Sequence, residues 1–129
     1  MRLLLDTQAF IWAAKEPRRV SAAARKAISS PMNDCYLSHV SVWEIMTKVS
    51  IGKLNAAWTP LEIERQCELL KIDFVLPIGL DHIYHLRALP LHHNDPFDRL
   101  LKAQAQVEGL RMVTSDSTIS GRYLPNAIW

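Results

Sequence analysis

The stretch LLLDTQAFIWAA, Leu3 to Ala14, decides how the rest of the chain is read. Three leucines run into an aspartate, and apolar residues resume directly behind it. A short apolar run of this kind predicts a strand over Arg2–Asp6. Thr7 to Ala14 then reads as a helix that ends near Pro17. The carboxylate of Asp6 therefore stands where a strand hands over to a helix, between two segments that both belong in a core.

The same alternation continues downstream. Ser21 is placed to cap a helix over AAARKAISS, which stops before Pro31. CYLSHV predicts a second strand over Asp34–Ser38. A helix follows over Val40–Ser50, with Val42, Ile45, Met46 and Val49 on one apolar stripe and Gly52 at its end. Pro60 opens a helix to Leu70, DFVLPI gives a third strand, and a helix spans Leu80–Leu89. Asp95–Pro96 starts the clearest helix, through Glu108, with proline at its first position and Gly109 just past its end. RMVTSD is a fourth strand, and NAIW is read as a short fifth. Strands alternating with helices imply a mostly parallel sheet flanked by helices, one three-layer α/β domain over 1–129.

Composition agrees with a globular protein. Of 129 residues, 49% are hydrophobic and 22% charged, and no apolar run approaches the ~20 residues of a membrane span. MRLLLDT is not a signal peptide, so a cytoplasmic location is expected. Cys35 and Cys67 have no metal-type spacing and are read as free thiols. A net charge of +2, from 15 basic and 13 acidic residues, is too balanced to diagnose nucleic-acid binding. Lys15, Arg18, Arg19, Arg25 and Lys26 form the densest basic stretch, either a solvated face or a patch for phosphate or a partner.

In a parallel α/β sheet, ligands bind beyond the carboxyl ends of the strands. Asp6 ends the first strand at that edge. Glu44 lies early in the helix after the second strand. Asp98 opens the helix that feeds the fourth strand, and Asp116 follows that strand. Four acids distant in sequence thus converge on one edge. Each alone has a structural explanation: a helix cap for Asp6, an i, i+4 pair of Glu44 with Lys48, a dipole contact for Asp98 (also spaced to pair with Lys102), an Asx-turn for Asp116. Together they are costly, since like charges about 5 Å apart repel by ~3 kcal/mol at an effective dielectric near 20. Such a pocket protonates or binds a cation. Oxygen ligands select a hard ion, Mg²⁺ or Mn²⁺, and helix N-termini at the same edge favour an anion. That combination suits phosphodiester hydrolysis by activated water.

The stretches RLLLDTQAFIWA, LSHVSVWEIMTKVSIGKL, LPLHHNDPFDRLLKAQAQVEGLRMVTSD and NAIW, in this order, resemble the PIN-domain ribonucleases, specifically the VapC-type toxins of toxin–antitoxin pairs. The resemblance implies that Asp6, Glu44, Asp98 and Asp116 are the metal-binding and catalytic acids. It implies Mg²⁺ or Mn²⁺ as cofactor, RNA as substrate with the 3′-oxygen as leaving group, a homodimer, and a small antitoxin whose tail enters the acidic groove. Asp95 matches an N-cap rather than a ligand. Two positions depart from the pattern: Gln8 stands where relatives carry histidine, and Thr118 where some carry a further acid.

Ser38, Arg99, Thr114 and Ser115 are candidates to contact substrate, each with an ordinary structural role as the alternative. His92 and His93 lie in a loop without a metal pattern, while His82 and His85 are read as surface or helix-packing residues. Trp12, Trp43 and Trp58 are expected to anchor the core or an interface, and Trp129 to close the last strand against the core. The expectation is a metal-dependent endoribonuclease toxin; the alternative is a non-catalytic PIN-fold module that binds RNA or a partner.

Overall fold

The computed structural model describes residues 1–72, 74–91, 95–116 and 126–129. Strands β1 (Arg2–Leu5), β2 (Asp34–Ser38), β3 (Phe74–Leu76) and β4 (Arg111–Val113) form one sheet in the order β3-β2-β1-β4. Every pairing is parallel: Leu5 lies opposite Leu37 on one side and Val113 on the other, and Leu37 lies opposite Val75. The helices are α1 (Thr7–Lys15), α2 (Ala22–Ser29), α3 (His39–Ser50), α4 (Pro60–Leu69), α5 (Leu80–His85) and α6 (Pro96–Glu108).

The three leucines explain the layering. Successive side chains of a strand point to opposite faces. Leu3 and Leu5 join a core with Phe10 of α1, Ala24 of α2, Ile45 of α3 and Ile63 of α4. Leu4 joins a second core with Val40, Met112 and with Leu100, Leu101 and Ala105 of α6. All three leucines have no exposed surface. Helices therefore cover both faces of the sheet, the three-layer α/β arrangement that the alternation predicts.

Local chemistry sets the element ends. Ser21 Oγ accepts from the Ala24 amide at 3.1 Å, the cap expected for α2. Asp95 Oδ1 accepts from the amides of Phe97 and Asp98 at 2.9 and 3.3 Å, and Pro96 follows at the first helical position. Gly109 closes α6 with φ +66°, in the left-handed region that glycine occupies without steric cost.

Three expectations change. NAIW adds no strand: Ile128 makes an isolated parallel bridge to Val113. The helix expected over Leu80–Leu89 stops at His85 and continues as a 3₁₀ turn, Leu86–Ala88. β4 ends at Val113, so Thr114 to Asp116 leave the strand. The start of DFVLPI at Asp73, the loop histidines His92 and His93, and Thr118 lie outside the described residues. Among the described residues, no helix is long and apolar enough to cross a membrane.

The tryptophans divide. Trp58 is buried and tilts against Phe10 at 5.7 Å. Trp12 packs on Trp129 at 5.8 Å, with the Arg19 guanidinium 4.5 Å from its ring centre. Trp43 is half exposed and meets the edge of Phe97 at 4.8 Å. The basic stretch is partly paired within the chain: Lys15 binds Glu62 at 2.9 Å and Arg19 binds Glu16 at 3.3 Å. Both cysteines are free; Cys35 is buried and Cys67 half-buried.

Candidate metal centre

From β1 the chain builds outward through β2 to β3, then returns to place β4 on the other side of β1. The crevice at such a reversal, beyond the carboxyl ends of the strands, is where an open α/β sheet accepts a ligand. A cleft of about 350 Å³ opens there. Asp6, Glu44, Asp95, Asp98 and Asp116 line it, and Thr7, Gln8, Lys48 and Ser115 complete its walls. The four acids expected to converge do so, although they come from the junction of β1 and α1, from α3, from α6 and from the segment after β4.

Asp6 is held from two sides. Its Oδ1 caps α1 by accepting from the Ala9 amide at 2.7 Å, and its Oδ2 accepts from the Thr114 hydroxyl. Thr114 Oγ1 accepts in turn from the Asp116 amide at 3.1 Å. One hydroxyl thus ties the ends of β1 and β4 together and positions both acids. Burial pushes the Asp6 carboxyl up to about 6. The Thr114 and Ala9 donors oppose the rise, and the charges of Asp98 and Glu44 add to it. The cap is real, yet it does not remove the electrostatic cost of the cluster.

Glu44 is 4% exposed. Its Oε2 accepts from Lys48 Nζ at 2.6 Å, the i, i+4 pair visible in the spacing. Among the described residues, its Oε1 is buried without a hydrogen-bond partner. Buried polar atoms are nearly always satisfied, so a buried carboxylate oxygen without such a partner at an acidic cleft fits a cation ligand. Thr7 Oγ1 donates to Ser41 Oγ at 2.9 Å and locks α1 to α3 beneath these two acids. Lys102, one helical turn past Asp98, is 5% exposed. Burial pushes its ammonium group below the usual lysine range, while Asp98 and Asp116 pull it back up.

Among the described residues, the acid and imidazole groups whose ligand atoms all lie within 4.8 Å of one another are Asp81, His82 and Glu108, away from this cleft. The four cleft acids share the lining of one cleft instead. Mg²⁺ keeps several waters and contacts few carboxylates directly. The tighter trio is satisfied internally. His82 Nδ1 accepts from the Gly79 amide at 2.9 Å, which leaves Nε2 to donate to Glu108 at 2.8 Å. This imidazole fastens α5 to α6, the packing role expected of it; His85 meets Gln106 at 2.7 Å.

The four residues expected to contact substrate separate. Ser115 is exposed and lines the cleft. Ser38 does not: it is fully buried, accepts from the Val40 amide at 2.9 Å as the cap of α3, and donates to Gln104. Arg99 donates to the carbonyls of Leu86 and Leu89 at 3.1 and 3.3 Å and so braces the turn after α5. Thr114 is 1% exposed and acts through Asp6 and Asp116. Backbone and side-chain partners hold Ser38 and Thr114, while Arg99 spends one terminal nitrogen on the two carbonyls and its Nε is buried without a hydrogen-bond partner among the described residues. The roles of Thr7 and Gln104 carried no sequence signal, since both read as ordinary helical residues.

A doubly covered parallel sheet with an acidic crevice at its switch point defines a class of α/β proteins that handle ligands at the strand ends. The chain belongs to the PIN domain family, whose profile matches residues 3–122. Its fold is similar to that of VapBC2 from Rickettsia felis, solved with a DNA fragment from their promoter, at TM-score 0.68 and 13% identity over 98% of this chain and 96% of that one. It is also similar to FitAcB from Neisseria gonorrhoeae, at TM-score 0.52 and 22% identity over 91% and 89%. The comparison with curated proteins finds no match.

Proposed function

We propose that this PIN domain, spanning 1–129, is a Mg²⁺-dependent endoribonuclease and the toxin of a toxin–antitoxin pair. The observation that carries the reading is the cleft itself: Asp6 and Glu44 are buried and line it with Asp98 and Asp116, and Glu44 Oε1 has no hydrogen-bond partner among the described residues. Asp6, Glu44, Asp98 and Asp116 would hold Mg²⁺, or Mn²⁺ in its place, in part through water. When bound, the ion supplies an acidified water as nucleophile and offsets charge on the phosphate. Thr114 would keep Asp6 and Asp116 oriented, and Ser115, exposed in the cleft lining, would meet the RNA backbone. In-line attack on phosphorus with departure of the 3′-oxygen would leave a 5′-phosphate. Family membership and the VapBC2 fold support a small antitoxin as partner; a homodimer belongs to the same reading.

The test is cleavage of total RNA with Mg²⁺ or with EDTA, by the parent, Asp6→Asn and Asp98→Asn. Cleavage by the parent alone, and only with Mg²⁺, is expected. Equal cleavage by either variant overturns the metal-site assignment. RNA binding without cutting by the parent favours a PIN-fold binding module, a reading that Lys48, already seated on Glu44, gives some support.

A further inference from the structure

Among the described residues that line the cleft, Lys48 is the one basic side chain. Ser38, Arg99 and Thr114 are absent from that lining. Lys48 follows Glu44 by one turn of α3, and its Nζ donates to Glu44 Oε2 at 2.6 Å. The two ends of this bond differ. The Glu44 side chain is 6% exposed, whereas Lys48 keeps 39% of its side chain open. An ammonium group has three N–H donors, and Glu44 takes one of them. The bond thus fixes the ammonium at the cleft with donors still to give. It also divides the Glu44 carboxylate. Oε2 faces the lysine, while Oε1, buried without a hydrogen-bond partner among the described residues, is left for a cation.

We propose that Lys48 is a substrate-binding residue: its ammonium, tethered by Glu44 Oε2, contacts a phosphate of the RNA strand that enters the cleft. Lysine holds phosphate as a point charge, through whichever N–H donors are free. Glu44 then serves two cations, an ion on Oε1 and the lysine on Oε2, and so sets the phosphate contact beside the metal site. A lysine that only offset the burial of Glu44 would make no such contact. Salt tells the two roles apart, since each phosphate contact on a single strand adds about 0.7 to the slope of log affinity against log salt. The inference rests on the metal-dependent RNA reading above and deepens it.

Filter binding of a single-stranded oligoribonucleotide to the whole chain, with saturating Ca²⁺ as the non-cleaving ion and KCl varied, gives that slope. Calorimetry with Mn²⁺ alone gives the metal uptake. Lys48→Met, which removes the charge, is expected to flatten the slope by about 0.7 and to weaken binding about fivefold at roughly 0.1 M salt, for every RNA sequence alike, while still taking up Mn²⁺. Lys48→Arg, which keeps the charge, should keep the parent's slope. Should Lys48→Met not fold, Lys48→Gln gives the same reading. A charge-free variant with the parent's slope overturns the inference, whatever its stability, and leaves the metal site standing. A variant that loses Mn²⁺ uptake along with the slope overturns it too, and makes Lys48 a support for Glu44 alone. A parent that takes up Mn²⁺ and retains no RNA overturns the RNA reading, and one that takes up no Mn²⁺ overturns the metal reading; the inference falls with either.

Discussion

Asp6 carries a conflict between folding and chemistry that can be measured. Its carboxyl titrates near 6 in the folded protein, against about 3.8 for an ordinary aspartate. The folded state therefore binds more protons than the unfolded one between those values, and metal-free stability falls as pH rises through that window. Asp6→Asn removes the penalty. Without metal, this variant should be more stable than the parent at pH 7.5, with the advantage gone near pH 4; thermal melts at both values check it. Added Mn²⁺ should raise the parent's melting temperature and leave the variant's almost unchanged. Under the proposed function, Glu44 serves the chemistry more than the fold. Glu44→Gln keeps the side-chain shape and should lower Mg²⁺-dependent RNA cleavage by on the order of 100-fold or more, about 3 kcal/mol or more of lost charge stabilisation. Cleavage within a few-fold of the parent would remove Glu44 from the site.

At the scale of elements, two hydroxyls hold the joints. Ser38 ends β2, caps α3 and bonds Gln104 of α6, so Ser38→Ala should cost about 1–3 kcal/mol in chemical denaturation while the KM for RNA stays unchanged. A raised KM with unchanged stability would restore Ser38 as a substrate contact. Thr114→Val cuts the tie between the ends of β1 and β4, leaves Asp6 without one donor, and removes the bond from Thr114 to the Asp116 amide. It should weaken Mn²⁺ binding by roughly tenfold while RNA cleavage at saturating Mn²⁺ recovers toward the parent's rate, as expected of a positioning group. The elements themselves were largely legible. Proline and glycine mark both ends of α6, and the caps at Ser21 and Asp95 follow from side-chain chemistry that acts within three residues. NAIW and Leu86–Leu89 were not legible, because a strand needs a partner of matching length and a helix end depends on the turn that Arg99 braces.

For the whole molecule, the parallel sheet turned a sequence pattern into a place. Once strand and helix alternate, the rim to which Asp6, Glu44, Asp98 and Asp116 belong follows from topology alone. Their neighbours did not follow. Ser38, Arg99 and Thr114 have the right chemistry for phosphate, but only coordinates show that backbone and side-chain partners already hold them. Lys102 reads as spaced to pair with Asp98, and its burial is seen only in the structure. Global charge was equally silent: a net +2 gives no hint of a cleft lined by five acids. A polyanion approaches such a cleft unfavourably unless a divalent ion is present, so RNA affinity should be much weaker in EDTA than with Ca²⁺, a non-cleaving substitute; filter binding at fixed ionic strength checks this. The most direct test of the central claim is where Mn²⁺ goes. In a crystal soaked with Mn²⁺, the anomalous peak is predicted in the cleft among Asp6, Glu44, Asp98 and Asp116. A peak at Asp81, His82 and Glu108 instead, or none at full occupancy anywhere near Asp6, would contradict it.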